Sequence, residues 1–182
     1  MLDSLLMALL SLEAPSVEPV AATAWTCPET VEPLTTQLLK DLPSYANRVI
    51  QRSRRLDREA ATNLDRATYV QIAGRAEFEP LPLGRDPLPD DPTKQVFFTT
   101  LEQQFSGDRA TTQQHYHWLF LTPTPQGWYS VYLFTRFSDN TSSEPLPPRE
   151  TSNGVIGQAI QLWLRDCRAG TVRPAGAFLP RR

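Results

Sequence analysis

The chain alternates between two hydrophobic periods, and the change of period divides it into elements. In residues 29–42, Val31, Leu34, Leu38, Leu39 and Leu42 recur at helical spacing. Pro33 suits the first turn of that helix, where its missing N–H does no harm. Pro43 is expected to stop or kink it. Ser44 would cap a second helix over 44–56, striped by Tyr45, Val49 and Ile50. From Tyr69 the period becomes two. Residues 69–74 predict a first strand, with Gly74 as a bulge or close backbone approach. Residues 95–105 are strongly β-prone and predict a second strand. Residues 111–122 and 127–137 predict a third and a fourth, joined by Pro123–Gly127 as a hairpin. A last helix is expected over 154–168, with Ile156, Ile160, Trp163, Leu164 and Cys167 on one stripe. Ser152 or Asn153 would cap it and Gly170 would close it.

The predicted fold is therefore α+β: an antiparallel four-stranded β-meander packed against N-terminal helices and a C-terminal helix. The domain spans 25–170, followed by a tail at 171–182. No βαβ alternation is visible, which argues against a parallel doubly wound sheet. The 111–137 hairpin is apolar or aromatic on both faces, as suits the centre of a sheet. Alternation puts His115, His117, Leu119 and Leu121 on one face, and Tyr116, Trp118 and Phe120 on the other. In the next strand it groups Tyr129, Val131, Leu133 and Phe137 against Trp128, Tyr132 and Phe134.

Composition narrows the functional classes. With 40% hydrophobic and 21% charged residues, the chain is globular rather than disordered. The net charge of −2 supplies no basic field for nucleic acid. The 17 prolines cluster between patterned stretches and read as loop punctuation.

The run Leu5–Leu12 is too short to span a bilayer but has the length of a signal-peptide core. Ala22-Thr23-Ala24 would be cut before Trp25, so 1–24 read as a signal peptide, although no basic residue precedes the run. Export would suit a disulfide between Cys27 and Cys167, the only cysteines. The alternative is a cytoplasmic scaffold whose N-terminal segment docks on a membrane or partner.

Candidate chemistry is sparse, and no Walker A, dinucleotide or G-x-S-x-G motif occurs. His115 and His117 point the same way on a strand, as a metal pair can, but a site would still need a third ligand from elsewhere, such as Glu102 on a neighbouring strand. They also carry the enzyme alternative, a hydrolase or metal-dependent reaction. Tyr116, Trp118, Trp128 and Tyr132 are candidates for a ligand pocket or for stacking. Arg48, Arg52 and Arg55 share a helical face and could meet an anion or acidic partner. A solvated face is the commoner fate of such a run. No cofactor is implied.

The stretches Leu42-Pro43-Ser44-Tyr45-Ala46-Asn47-Arg48-Val49 and Glu77-Phe78-Glu79-Pro80-Leu81-Pro82-Leu83 resemble those of a family of small uncharacterised exported proteins of cyanobacteria. The resemblance implies the periplasm or thylakoid lumen and transfers no catalytic residue. The preferred expectation is a non-enzymatic exported domain that binds a protein or small ligand.

Overall fold

A computed structural model describes residues 26–56, 69–80, 90–106, 109–138 and 146–172, with the side chains of 54–56, 104–106 and 109 outside that description. The signal-peptide expectation at 1–24 and most of the tail lie outside the described residues. The order is α1 (Val31–Leu56), β1 (Tyr69–Ile72), β2 (Lys94–Ser106), β3 (Arg109–Thr124), β4 (Gly127–Phe137), β5 (Arg149–Glu150) and α2 (Val155–Arg168). The strands form one antiparallel sheet in sequence order. The α+β meander is as expected, with a fifth, two-residue strand at the β4 edge.

The expected pair of helices is a single helix. Pro43 lies inside α1, where the helix continues through it. Proline in a helix interior costs about 3 kcal/mol. Burial outweighs that cost: Leu34, Leu38, Leu42, Ala46, Val49 and Ile50 are all buried across the proline, at roughly 1.5–3 kcal/mol for each large side chain. The same buried stripe runs through both halves, so breaking the axis would pull one half off the core.

Both helices cover the same sheet face, with α1 against β1 and α2, and α2 against β4. The core between them includes Val70, Val96, Phe98, Leu119, Leu121, Leu133, Ile160, Trp163 and Leu164. Asp41 is buried there too, its Oδ2 accepting hydrogen bonds from Trp163 Nε1 and Gln37 Nε2 at 2.9 Å each. Tyr45 donates to Asp166 Oδ2 at 2.9 Å and links the helices again. Cys27 and Cys167 form the expected disulfide, with Cα atoms 5.1 Å apart across 140 residues of chain. It ties the entry to α1 onto the last turn of α2. Among the described residues, no helix is long and apolar enough to cross a membrane.

The β3–β4 hairpin sits as expected, turning at Pro125-Gln126 with Gly127 at φ +108°. A side chain there would also meet Arg168 Cγ at 2.9 Å. Its facing is not as expected. Phe120 pairs with Tyr132 but Leu121 pairs with Ser130, so Val131 is an extra residue in β4. This bulge inverts the alternation on its hairpin side. Trp128 thereby turns to the helix-covered face and is 5% exposed, whereas Tyr129 and Val131 turn outward. Strict alternation had grouped Trp128 with Tyr132 and Phe134; one inserted residue separates them.

α2 begins one residue later than expected. Its N-cap is Gly154, with no side-chain cap and no acidic residue in the first turn. Ser152 is engaged elsewhere, its Oγ accepting from the Leu133 amide at 3.0 Å. Gly157 is required here: a Cβ would lie 2.2 Å from the Ser152 carbonyl oxygen. Without a side chain, the 151–152 segment lies directly on the first turn of α2. At the other end Gly170, at φ +63°, closes the helix as expected.

Candidate functional site

Period-two geometry selects the site residues. Val96, Phe98, Thr100 and Glu102 alternate onto the helix-covered face of β2, as do His115, His117, Leu119 and Leu121 on β3. The apolar members form the core. The polar members cluster where the face passes beyond α2, and β3 brings both histidines there. Thr100 pairs with His115, Phe98 with His117, and His117 with Thr135. Thr135 in turn pairs with Arg149 of β5, so Arg149 belongs to the same face.

His117 is 1% exposed and its two ring nitrogens are both engaged. Nδ1 lies 2.9 Å from Thr135 Oγ1, and Nε2 lies 2.8 Å from Thr100 Oγ1. Thr135 Oγ1 is 2.7 Å from Thr151 Oγ1, which donates to the Leu133 carbonyl at 3.2 Å. A carbonyl only accepts, so with one hydrogen per hydroxyl the direction of this chain is fixed. Thr151 accepts from Thr135, and Thr135 accepts from His117 Nδ1–H. His117 is therefore the Nδ1–H tautomer. Its pKa is pushed down to about 3 by burial, only partly opposed by the Glu102 charge and assisted by His115. The Thr100 hydroxyl faces two acceptors, His117 Nε2 and Glu102 Oε1, the latter at 3.0 Å.

Glu102 Oε1 also lies 3.1 Å from His115 Nδ1 and 4.0 Å from His117 Nε2. Burial raises the Glu102 pKa, but adjacent His115, together with His117 and the Thr100 hydroxyl, outweighs it and holds it below the ordinary carboxylate range. His115 is different from His117. It is 2% exposed, its ring lies edge-on to Phe137 at 4.8 Å, and neither nitrogen makes a hydrogen bond. The Nδ1–Glu102 approach has the distance of an ion pair without the alignment of a hydrogen bond.

These residues form the inner wall of a cleft of about 360 Å³. Glu102, His115 and His117 lie on one side. Arg149, Thr151 and the N-terminus of α2 at Gly154–Ile156 lie on the other, with Phe137 and Leu146 completing apolar parts of the lining. The volume is at the small end of ligand sites, roughly 300–1,000 Å³.

The expected metal pair is brought next to Glu102, but His117 spends both nitrogens on threonines. Among the described residues, no group of three or more His, Cys, Asp or Glu is arranged to hold a metal ion. The expected aromatic pocket is divided. Tyr116, Trp118 and Tyr132 lie on the outer sheet face, and Trp128 lies on the covered one. On the outer face Phe97 packs on Trp118 at 5.2 Å and Arg136 lies 4.5 Å over Tyr116. These are cross-strand pairs of the kind that stabilise a sheet. Arg48 and Arg52 are exposed on α1, Arg48 lying 3.7 Å over the Tyr45 ring, while the Arg55 side chain is outside the description.

Sequence reasoning reached Glu102, His115 and His117 but missed Thr100, Thr135, Thr151 and Arg149. A signal existed for Thr100: it shares parity with Val96 and Phe98. Arg149 sits in a loop-like, Pro-rich stretch without periodicity and left none. No family model, no curated protein and no solved structure matches the chain.

Proposed function

We propose that this chain is an exported binding domain and that the His115 cleft takes a small ligand. The carrying observation is His115: a buried imidazole on the wall of a cleft, its Nδ1 against Glu102 and its Nε2 without a partner. A buried polar group without a partner costs about 1–3 kcal/mol. A ligand atom that bonds to it recovers that energy. The disulfide supports export, since such bonds persist in oxidising compartments. The sequence resemblance to exported cyanobacterial proteins favours the periplasm or thylakoid lumen.

The test is a fragment screen by ligand-observed NMR on the disulfide-intact protein, on Val155→Trp, which fills the cleft, and on Tyr132→Ala on the outer face. Cleft binders should disappear with Val155→Trp and persist with Tyr132→Ala. The opposite pattern would move binding to the aromatic face and refute the cleft.

A second reading, acid–base catalysis, rests on the Glu102–His115 contact. A carboxylate beside Nδ1 orients an imidazole so that Nε2 can take a proton. The nearby Ser138 hydroxyl is committed to the Gln114 carbonyl, so it is not placed as the partner of His115.

A further inference from the structure

The cleft is electrically polar along its length. Glu102 lies on β2 and Arg149 on β5, three strands apart and four residues out of register, which separates their backbones by roughly 20 Å. At the Arg149 end stands the N-terminus of α2. Its first amides have no partner inside the helix. Gly154 supplies no side-chain cap, and the first turn carries no acidic residue. Such a terminus carries roughly half a positive charge. It lines the cleft through Gly154, Val155 and Ile156.

A bare helix end is not in itself a site. His115 is the second, independent mark. β3 and β5 are two strands apart, about 10 Å between backbones. His115 and Arg149 rise from the same face on those strands, so an imidazole and an arginine can close on one carboxylate between them. The Glu102 charge at the far wall is engaged by His115 Nδ1, which leaves Nε2 as the nitrogen free to meet a ligand. Phe137, Leu146, Val155 and Ile156 provide an apolar bed beside these groups.

We infer that the ligand is a small monocarboxylate with an apolar body, its carboxylate held by Arg149, the α2 N-terminus and His115. This rests on the cleft being a ligand site, and it names the chemistry that the site selects. Arginine meets a carboxylate through paired N–H donors, which gives geometric selectivity as well as charge.

The test uses isothermal titration calorimetry with hexanoate and benzoate, each against its neutral counterpart, 1-hexanol and benzyl alcohol. The proteins are wild type, Arg149→Ala and Arg165→Ala, the last an exposed arginine outside the cleft lining. Both carboxylates are expected to bind at least tenfold more tightly than the alcohols. Arg149→Ala should weaken the carboxylates at least fivefold and leave the alcohols unchanged, and Arg165→Ala should change neither. In parallel, the His115 Nε2 resonance should shift on adding carboxylate. Alcohols that bind as tightly as carboxylates, or carboxylate binding indifferent to Arg149→Ala, would overturn this inference and leave the cleft a ligand site. If neither class binds to any variant, the ligand-site reading falls with it.

Discussion

His117 makes the fold sensitive to acid. Its folded pKa of about 3 lies below the ordinary value of 6.5. The unfolded chain therefore binds a proton that the folded chain refuses. The stability contributed by neutral His117 is present above 6.5 and is lost as pH falls through the window from 6.5 towards 3. At 1.36 kcal/mol for each unit of pKa difference, the two-state integral gives a loss of about 2 kcal/mol between pH 7 and pH 5 from this residue. Glu102 contributes little in that interval. Its folded pKa is lowered below 4.5, so its stabilisation is present above that value and is lost further down. The perturbation is His117→Gln, which retains hydrogen-bonding atoms but cannot titrate. The assay is urea unfolding at pH 7, 6 and 5. Wild type should lose about 2 kcal/mol more than His117→Gln over this range, although the variant starts less stable. In wild type the imidazole carbons of His117 should hold their neutral chemical shifts throughout. Equal losses in the two proteins, or an imidazole that titrates near pH 6, would refute the reasoning.

Four further outcomes are expected, three from the structure and one from the sequence. Replacing Cys27 and Cys167 by serine opens a closure of 140 residues; the chain-entropy relation puts the loss at about 5 kcal/mol at most, measurable as a fall in urea midpoint. Gly157→Ala, which would raise stability in an ordinary helix interior, should lower it by roughly 1–3 kcal/mol through overpacking against the Ser152 carbonyl; an unchanged midpoint would contradict the close approach. Deleting Val131 removes the extra residue and leaves Trp128 paired with Pro123 on the covered face, so Trp128 should stay buried; acrylamide quenching against a Trp128→Phe background reads its exposure, and a Trp128 that becomes exposed would contradict the bulge. N-terminal sequencing of protein made in a host that exports it should begin at Trp25; an intact Met1 would refute cleavage there.

Much of the secondary structure was legible because it is encoded locally. The alternation over β2 and β3 marked both strands, and apolar residues at helical spacing marked α1 and α2. Parity alone put His115 and His117 on one face with Leu119 and Leu121; that this face is the covered one came from the structure. The pairing of Cys27 with Cys167 followed from there being only two cysteines. Local rules failed where distant contacts won. Pro43 should end a helix, but a buried stripe spanning it holds α1 in one piece. Val131 looks like any other strand residue, and only pairing with β3 reveals it as the bulge that turns Trp128 inward. The site itself belongs to tertiary structure. Whether a strand histidine is a rim residue, a locked core residue or a free imidazole depends on what faces it. Thr100 and Thr135 lock His117; Glu102 leaves His115 with an open nitrogen. Those partners come from two strands, β2 and β4, and Arg149 and the α2 terminus come from beyond a loop. The sequence by itself determined which residues could share a face. Only the closing of the sheet beneath the helices decided which met across it, because hydrogen bonding and desolvation depend on neighbours in space rather than along the chain.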